Sequence, residues 1–592
     1  MRIVLSIVLL FYAVCTFSQT VIHGLVRDSK THESLPYCSI SVKASTKGAL
    51  TNGDGAFSIP VSFKNDTLQF SYVGYHTQVI PATRLYQNKV VLLERKEVLL
   101  QEIIVHANND FLYDITDRCR RKLNQDKAGH MAKIYYGIET QTNECPIELV
   151  ECYYNGTIRG SAIDQLYFKN GRIGLSELNN RYFLTLNSSK AISSIELTKK
   201  SDDAPSCPFQ FSKREMKKYF VLELEYCDDK MYKIKFHPRN DQNRRFSGEI
   251  FVDKETFALL KTDLSIKNAV KHPFLPISPK DSLYHVDLNI SGTYKQDGDA
   301  ILPDHINFSY HVTYKSVRDS INSLIPFIIT REINTTGVMY FYDYDHPFIL
   351  PYFEYDANYD DYRKMSIIPY NEIFWNHNSR LLLTEKQKED IGFFSHEGKL
   401  INFKEGNYGK NFLNIVRYDS NNDPTVHSFY EYYYTFWSPD ERIRINGKLL
   451  RNEIYSPERI NQTIQSNLYN LKVQILLDVT QSDDSLFCKS YTVFDAVKTF
   501  YHLPAQPYTM AFLNIYFDLC EIERRRMEKE LNAHGQSMEQ IDSVYKETMS
   551  RIDRITQHYL KEVQLGKKEK ELLEWNHYVM KNLNIDNFNL FK

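Results

Sequence analysis

Residues 21–75 constrain the chain most. Ile40 and Val42 alternate with polar neighbours, and so do Phe57 and Ile59. Turn chemistry separates these alternations: Leu35-Pro36, then Thr51-Asn52-Gly53-Asp54-Gly55, then Lys64-Asn65-Asp66. Short period-two runs punctuated at this spacing build a small β-sandwich. Residues 52–55 have the oxygen-rich look of a calcium loop, but hairpin chemistry accounts for them. Glycine supplies positive φ, and Asn or Asp tolerates it.

Ahead of this stretch, residues 1–18 have the form of an export signal. Arg2 gives a positive start, residues 3–14 are apolar apart from Ser6, and Thr16-Phe17-Ser18 offers a small-residue cleavage site before Gln19. Cys15 raises a lipoprotein alternative, but Val14 is bulky for the residue preceding a lipidated cysteine, so a soluble signal is favoured. No later apolar run reaches the ~18 residues of a membrane helix. Of nine cysteines, Cys38, Cys119, Cys145, Cys152, Cys207, Cys227, Cys488 and Cys520 follow the signal, and none forms C-x-x-C. Export permits disulfides, with Cys145–Cys152 or Cys207–Cys227 as the local pairings. The favoured reading makes most of them small buried apolar residues.

Four motifs carry a resemblance: Gly24-x-Val26-x-Asp28; residues 31–36; Thr51-Asn52-x-Asp54-Gly55-x-Phe57; and Phe70-Ser71-Tyr72-x-Gly74-Tyr75. Together they resemble the carboxypeptidase-regulatory-like domain over residues 20–106. The resemblance implies a prealbumin-like seven-stranded sandwich. This domain is common at the N-terminus of Gram-negative envelope proteins, TonB-dependent receptors included, and is non-catalytic there. Residues 100–105 (Leu-Gln-Glu-Ile-Ile-Val) resemble the lead-in to a receptor plug, yet no plug-like sequence follows. A zinc carboxypeptidase needs His-x-x-Glu. No histidine here has Glu three residues later.

Further along, Asn109 or Asp110 is placed to cap a helix with Phe111, Ile115, Cys119 and Leu123 on one face. Its Arg118, Arg120, Arg121 and Lys122 read as a solvated face. Residues 133–344 read as an antiparallel meander. One hairpin joins Phe220, Leu222 and Leu224 to Tyr232, Ile234 and Phe236; strands follow at Ile250–Val252, 260–266, 286–290 and 306–314. Gly248 to Thr256 is similar to a hairpin of lipoprotein-carrier proteins, which implies a curved sheet around an apolar cavity and an acyl or other apolar ligand. A flat sheet packed on helices is the equal alternative. Lys and Glu on the wet faces and a helical end argue against a transmembrane barrel.

Chemistry is sparse. Asp343, Asp345, Glu354, Asp356, Asp360 and Asp361 lack the D-x-D-x-D-G loop of a calcium site. Residues 428–437 (SFYEYYYTFW) would either stack sugar rings or fill a buried strand, the latter favoured. Asp478, Asp495 and His502 have the residue types for acid–base hydrolysis, but no spacing links them. There is no G-x-S-x-G, Walker loop or G-x-G-x-x-G. The formal net charge of −2 leaves no nucleic-acid footprint.

The chain ends in helices. Leu513, Tyr516, Phe517, Cys520, Met527 and Leu531 form one stripe, and Glu521 pairs with Arg525 at i,i+4. Ser537 to Gln540 has capping-box form. Ile541, Val544, Ile552, Ile555, Tyr559 and Val563 line the next helix, which stops at Gly566; Leu572, Trp575, Val579 and Leu583 line a third.

The expectation is a multidomain, mainly β chain with a helical C-terminus. Its parts are a signal (1–18), a sandwich (19–107), a linker helix (108–131), an antiparallel β domain (132–345), a mixed α/β region (346–510) and a helical region (511–592). The function expected is a non-catalytic envelope protein, periplasmic or outer-membrane associated. It would use no cofactor and meet an envelope protein, an apolar ligand or a glycan. A lipid carrier or chaperone and a hydrolase are the alternatives.

Overall fold

The computed structural model describes residues 20–43, 45, 48–61, 66–87, 89–96, 109–143, 145–176, 188–240, 243–276, 281–318, 327–355, 359–378, 380–406, 434–444, 469–482, 485–496, 498–501, 507–533 and 537–590. The signal, the plug-like lead-in, His502 and residues 428–433 lie outside them.

The N-terminal sandwich has the seven strands expected. β1 (Thr20–Asp28), β2 (Ser39–Val42), β3 (Gly48–Leu50), β4 (Ala56–Val61), β5 (Thr67–Ser71), β6 (Gln78–Pro81) and β7 (Val90–Leu93) form two sheets, ordered β4-β1-β7 and β3-β2-β5-β6. A single-turn helix α1 (Ala82–Leu85) follows β6. The alternation seen in sequence turns Ile40, Val42, Phe57 and Ile59 inward. Phe57 of one sheet meets Phe70 of the other edge-to-face at 5.4 Å. In the β3–β4 turn, Asn52 Oδ1 accepts the amides of Asp54 (3.0 Å) and Ala56 (2.8 Å). Gly55 sits at φ +76°, where a Cβ would stand 2.7 Å from the Val26 carbonyl oxygen. Asp28 ties the rim together. It accepts the amides of Thr31 (2.9 Å) and Lys30 (2.7 Å), Arg95 Nε (2.6 Å) and the Tyr75 hydroxyl (2.9 Å). These donors, the Thr31 amide foremost, hold its carboxyl well below the ordinary range.

The centre of the molecule is an eleven-stranded antiparallel sheet. Helix α2 (Asp110–Leu123) leads into it. Its strands are β8 (His130–Thr142), β9 (Cys145–Arg159), β10 (Ala162–Ser176), β11 (Phe220–Cys227), β12 (Met231–Pro238), β13 (Ser247–Asp253), β14 (Leu259–Ile266), β15 (Ser282–Asp297), β16 (Ala300–Arg318), β17 (Phe327–Tyr342) and β18 (Gly398–Ile401). They are ordered β11 to β17 consecutively, then β8-β9-β10-β18. The hairpins β11–β12, β13–β14 and β15–β16 are those expected, and bulges on several ladders bend the sheet.

Short helices accompany the sheet: α3 (Ser188–Ser193), α4 (Lys213–Tyr219), α5 (Asp361–Ile367), α6 (Glu372–Asn378) and α7 (Glu385–Glu397). The inner face carries Ile134, Ile138, Phe236, Leu288 and Phe308, packed with Leu112, Ile115, Cys119 and Leu123 of α2. The segment expected as a linker helix is thus built into this core. Asn109 precedes it without a side-chain capping bond, and donates Nδ2 to the Leu222 carbonyl instead (3.3 Å). The outer face is aromatic: Tyr135, Tyr153, Tyr340 and Tyr342 gather with Phe374 and Trp375 of α6. Into that cluster comes Leu50 of the sandwich, fully buried. Asp54 Oδ2 accepts the Glu385 amide at the start of α7 (3.0 Å), and Asn52 Nδ2 donates to the Leu383 carbonyl (3.3 Å). The sandwich is therefore fastened to the outer face.

The C-terminal third pairs a small sheet, β19 (Tyr434–Phe436), β22 (Ser485–Asp495) and β21 (Val473–Ser482), with helices; β20 (Tyr469–Asn470) pairs with β23 (Phe500–Tyr501). The helices are α8 (Thr509–Ala533), α9 (Met538–Val563), α10 (Glu569–Leu583) and α11 (Asn587–Leu590). The three expected stripes are buried together, Glu521 pairs with Arg525 at 2.8 Å, and Ser537 and Gln540 make the capping box. No helix among the described residues is long and apolar enough to cross a membrane.

Candidate functional site

The expected acid–base groups do not assemble. Asp478 on β21 is buried, with Oδ1 accepting Lys169 Nζ (2.5 Å) and Oδ2 accepting Asn371 Nδ2 (2.6 Å). Asp495 accepts Gln474 Nε2 (2.9 Å) and the Lys498 amide (3.1 Å). Gln474 lies four positions from Asp478, about 13 Å along the strand. The two described carboxylates therefore stand apart, each in its own buried bonds.

Asp356 lies outside the described residues, and the other described candidates resolve into structure. Asp343 pairs with Lys133 (3.0 Å), Asp360 caps α5 through the Arg363 amide (2.9 Å), and Asp361 accepts the Tyr154 hydroxyl (2.9 Å). These carboxylates diverge, and no group of three or more His, Cys, Asp or Glu gathers for a metal among the described residues. Tyr434 is buried and donates to the Tyr359 hydroxyl (2.8 Å), while Trp437 Nε1 donates to Asp518 (2.7 Å). The described end of the aromatic run is packing rather than a sugar platform. The described cysteines are free thiols, which corrects both local pairings. Cys145 and Cys152 lie on one strand, seven residues apart, far beyond disulfide reach. Cys38, Cys119, Cys152, Cys207 and Cys520 are buried.

One feature of the inner face is open. Where α3 and the chain after it cross the sheet, they leave a recess of ≈ 20 Å³, room for about one water molecule. Ile163, Ile192, Leu197, Leu264, Ile290 and Ile306 dominate its wall. Its polar groups are the hydroxyls of Ser161, Ser193, Thr262 and Tyr294: Ser193 donates to the Ser189 carbonyl (2.7 Å), Thr262 donates to the Glu249 carbonyl (3.3 Å), and burial pushes the Tyr294 phenol up. The aliphatic part of such a wall offers dispersion contacts. Strand alternation announced Leu264, Ile290 and Ile306. Ile192 and Leu197 come from a connection between strands, where no periodicity marks them.

A family model described as the CarboxypepD_reg-like domain matches residues 22–105. The sandwich is such a domain. No curated protein matches the chain. Among solved structures, a LolA superfamily protein from Nitrosomonas europaea aligns at 11% identity and TM-score 0.16, covering 42% of this chain and 97% of that one. A DUF1329 family protein from Desulfovibrio piger aligns at 10% and TM-score 0.17, covering 42% and 93%. The Pseudomonas aeruginosa MucA/MucB complex aligns at 9% and TM-score 0.13, covering 38% and 92%. Superpositions this loose carry no functional weight.

Proposed function

We propose that this chain is an exported, non-catalytic envelope protein in which the large sheet is a rigid binding platform, with the regulatory-like sandwich fastened to its outer face. The observation that carries the reading is the division of labour between the faces. Leu50 and the Asp54–Glu385 contact hold the sandwich outside, while the inner face keeps an aliphatic recess. That lining, aliphatic apart from four hydroxyl-bearing residues, favours an apolar group of a partner or ligand over a glycan. Export rests on the first eighteen residues and on the company this sandwich keeps. Purified mature protein should leave peptide and glycan substrates intact; turnover of either would overturn the platform. Cell fractionation should find a chain beginning at Gln19 outside the cytoplasm.

A second reading is a carrier of acyl chains, for which this small aliphatic recess would have to open. Native mass spectrometry separates the two: a co-purifying lipid, lost in Ile290→Trp, supports the carrier, and an empty chain supports the platform.

A further inference from the structure

A second recess lies on the opposite side of the sheet, at its seam with the C-terminal third. It measures ≈ 30 Å³, room for only a small group, and is walled by Lys133 of β8, Lys169 of β10, Phe348, Phe374 of α6, and Thr480 and Gln481 of β21. Both lysines project from the outer face, since their neighbours Ile134 and Phe168 point into the inner core. Lys169 is only 1% exposed.

The polarity of the wall is one-sided. Each lysine has a carboxylate partner, Asp343 for Lys133 and Asp478 for Lys169, but neither carboxylate lines the recess. Asp343 is shared with Arg380, 3.9 Å away, and Asp478 with Asn371, so both acids are already engaged. The Lys133 ammonium is not saturated. Lys169 uses two N–H groups, on Asp478 and on the Val479 carbonyl (3.0 Å), and its ammonium stands 5.7 Å from the Phe374 ring centroid. Lys133 has Asp343 and the Phe348 ring, 5.0 Å from its centroid. Thr480 Oγ1 accepts Asn371 Nδ2 (3.2 Å), which leaves its O–H to donate. Two cations and a hydroxyl donor thus face a pocket whose balancing negative charge stands behind the wall. Donors on a partly buried, low-dielectric wall bind an anion more strongly than they would in water.

We infer that this recess is a binding site for a small oxyanion group, a carboxylate or phosphate, held by Lys133, Lys169 and Thr480. Phe348 and Phe374 supply apolar contact for the body that carries it. The site lies across the sheet from the aliphatic recess and does not depend on it.

Isothermal titration of the full mature chain with inorganic phosphate and with acetate, at constant ionic strength, tests the inference. Saturable one-to-one uptake of at least one anion is expected. Phosphate alone would assign a phosphate-bearing ligand, acetate alone a carboxylate. Lys133→Gln should weaken binding about tenfold, the loss of a charge-assisted hydrogen bond, and Thr480→Val about threefold. Binding of neither anion, or equal affinity in wild type and Thr480→Val, would overturn the site. Thr480→Val decides the matter alone if Lys133→Gln fails to fold.

Discussion

The two faces of the large sheet solve different problems with the same strands. The inner face is chiefly aliphatic and aromatic, with Glu148 buried beside Tyr136 and Tyr310, and is covered by elements close in sequence to its own strands, α2 above all. The outer face is tyrosine-rich and threaded with ion pairs such as Arg172–Glu151 (2.5 Å), with the Arg172 guanidinium 4.2 Å from the Trp375 ring centroid. It is covered by parts of the chain remote from it: the sandwich on one side, α6 and β21 on the other. Local, generic burial makes the domain. Remote, specific contacts decide how the domains are arranged. Perturbing each face should therefore give a different kind of failure.

The largest effect is expected inside. Phe236 is fully buried in the inner core, and Phe236→Ala should cost about 3–5 kcal/mol, read as a lower denaturant midpoint for the sheet as a whole. An unchanged midpoint would mean that the inner face is not the stabilising one. Leu50→Ala should cost about 2–3 kcal/mol but act chiefly on the seam. Limited proteolysis between the sandwich and α2 should accelerate while the sheet's own unfolding stays cooperative. If both units unfold together at a lower midpoint, the division between faces is weaker than drawn. The smallest effect is confined to the sandwich rim. Asp28 titrates below its ordinary value of 3.8 in the folded chain. Its contribution is thus present above that value and lost as pH falls through the lower folded one. An acid titration should show the sandwich of Asp28→Asn insensitive to this step while wild type loses stability through it.

Much of this arrangement is legible in the sequence wherever the signal is local. Period-two runs placed the β11–β12 hairpin, Asn52 and Gly55 placed a turn, and the stripes of Leu513 to Leu531 and Ile541 to Val563 placed two helices. These are patterns within a few residues, set by side-chain period and backbone freedom. The features that define the sites are not local. Leu50 looks like any apolar strand residue, and nothing near it reports that it leaves its own sandwich core for Tyr340 and Trp375. Lys169 and Asp478 are 309 residues apart, so neither the buried pair nor the recess beside it has a periodic trace. β18, four residues long, joins the sheet from well beyond the meander. Cys145 and Cys152 were paired by proximity along the chain, which an extended strand turns into separation.

The place of β8 in the sheet has a consequence for how the chain is made. It pairs on one side with β9, its neighbour in sequence, and on the other with β17, where the hydroxyls of Thr140 and Thr335 meet at 3.0 Å across 195 residues. A chain emerging from its N-terminus holds one rim of β8 unsatisfied until β17 arrives. A row of bare amides and carbonyls is a template for the wrong strand. Fragments that end before Phe327 should clump where the whole chain stays dispersed, and a newborn chain has the same long interval in which it must be kept from its sisters.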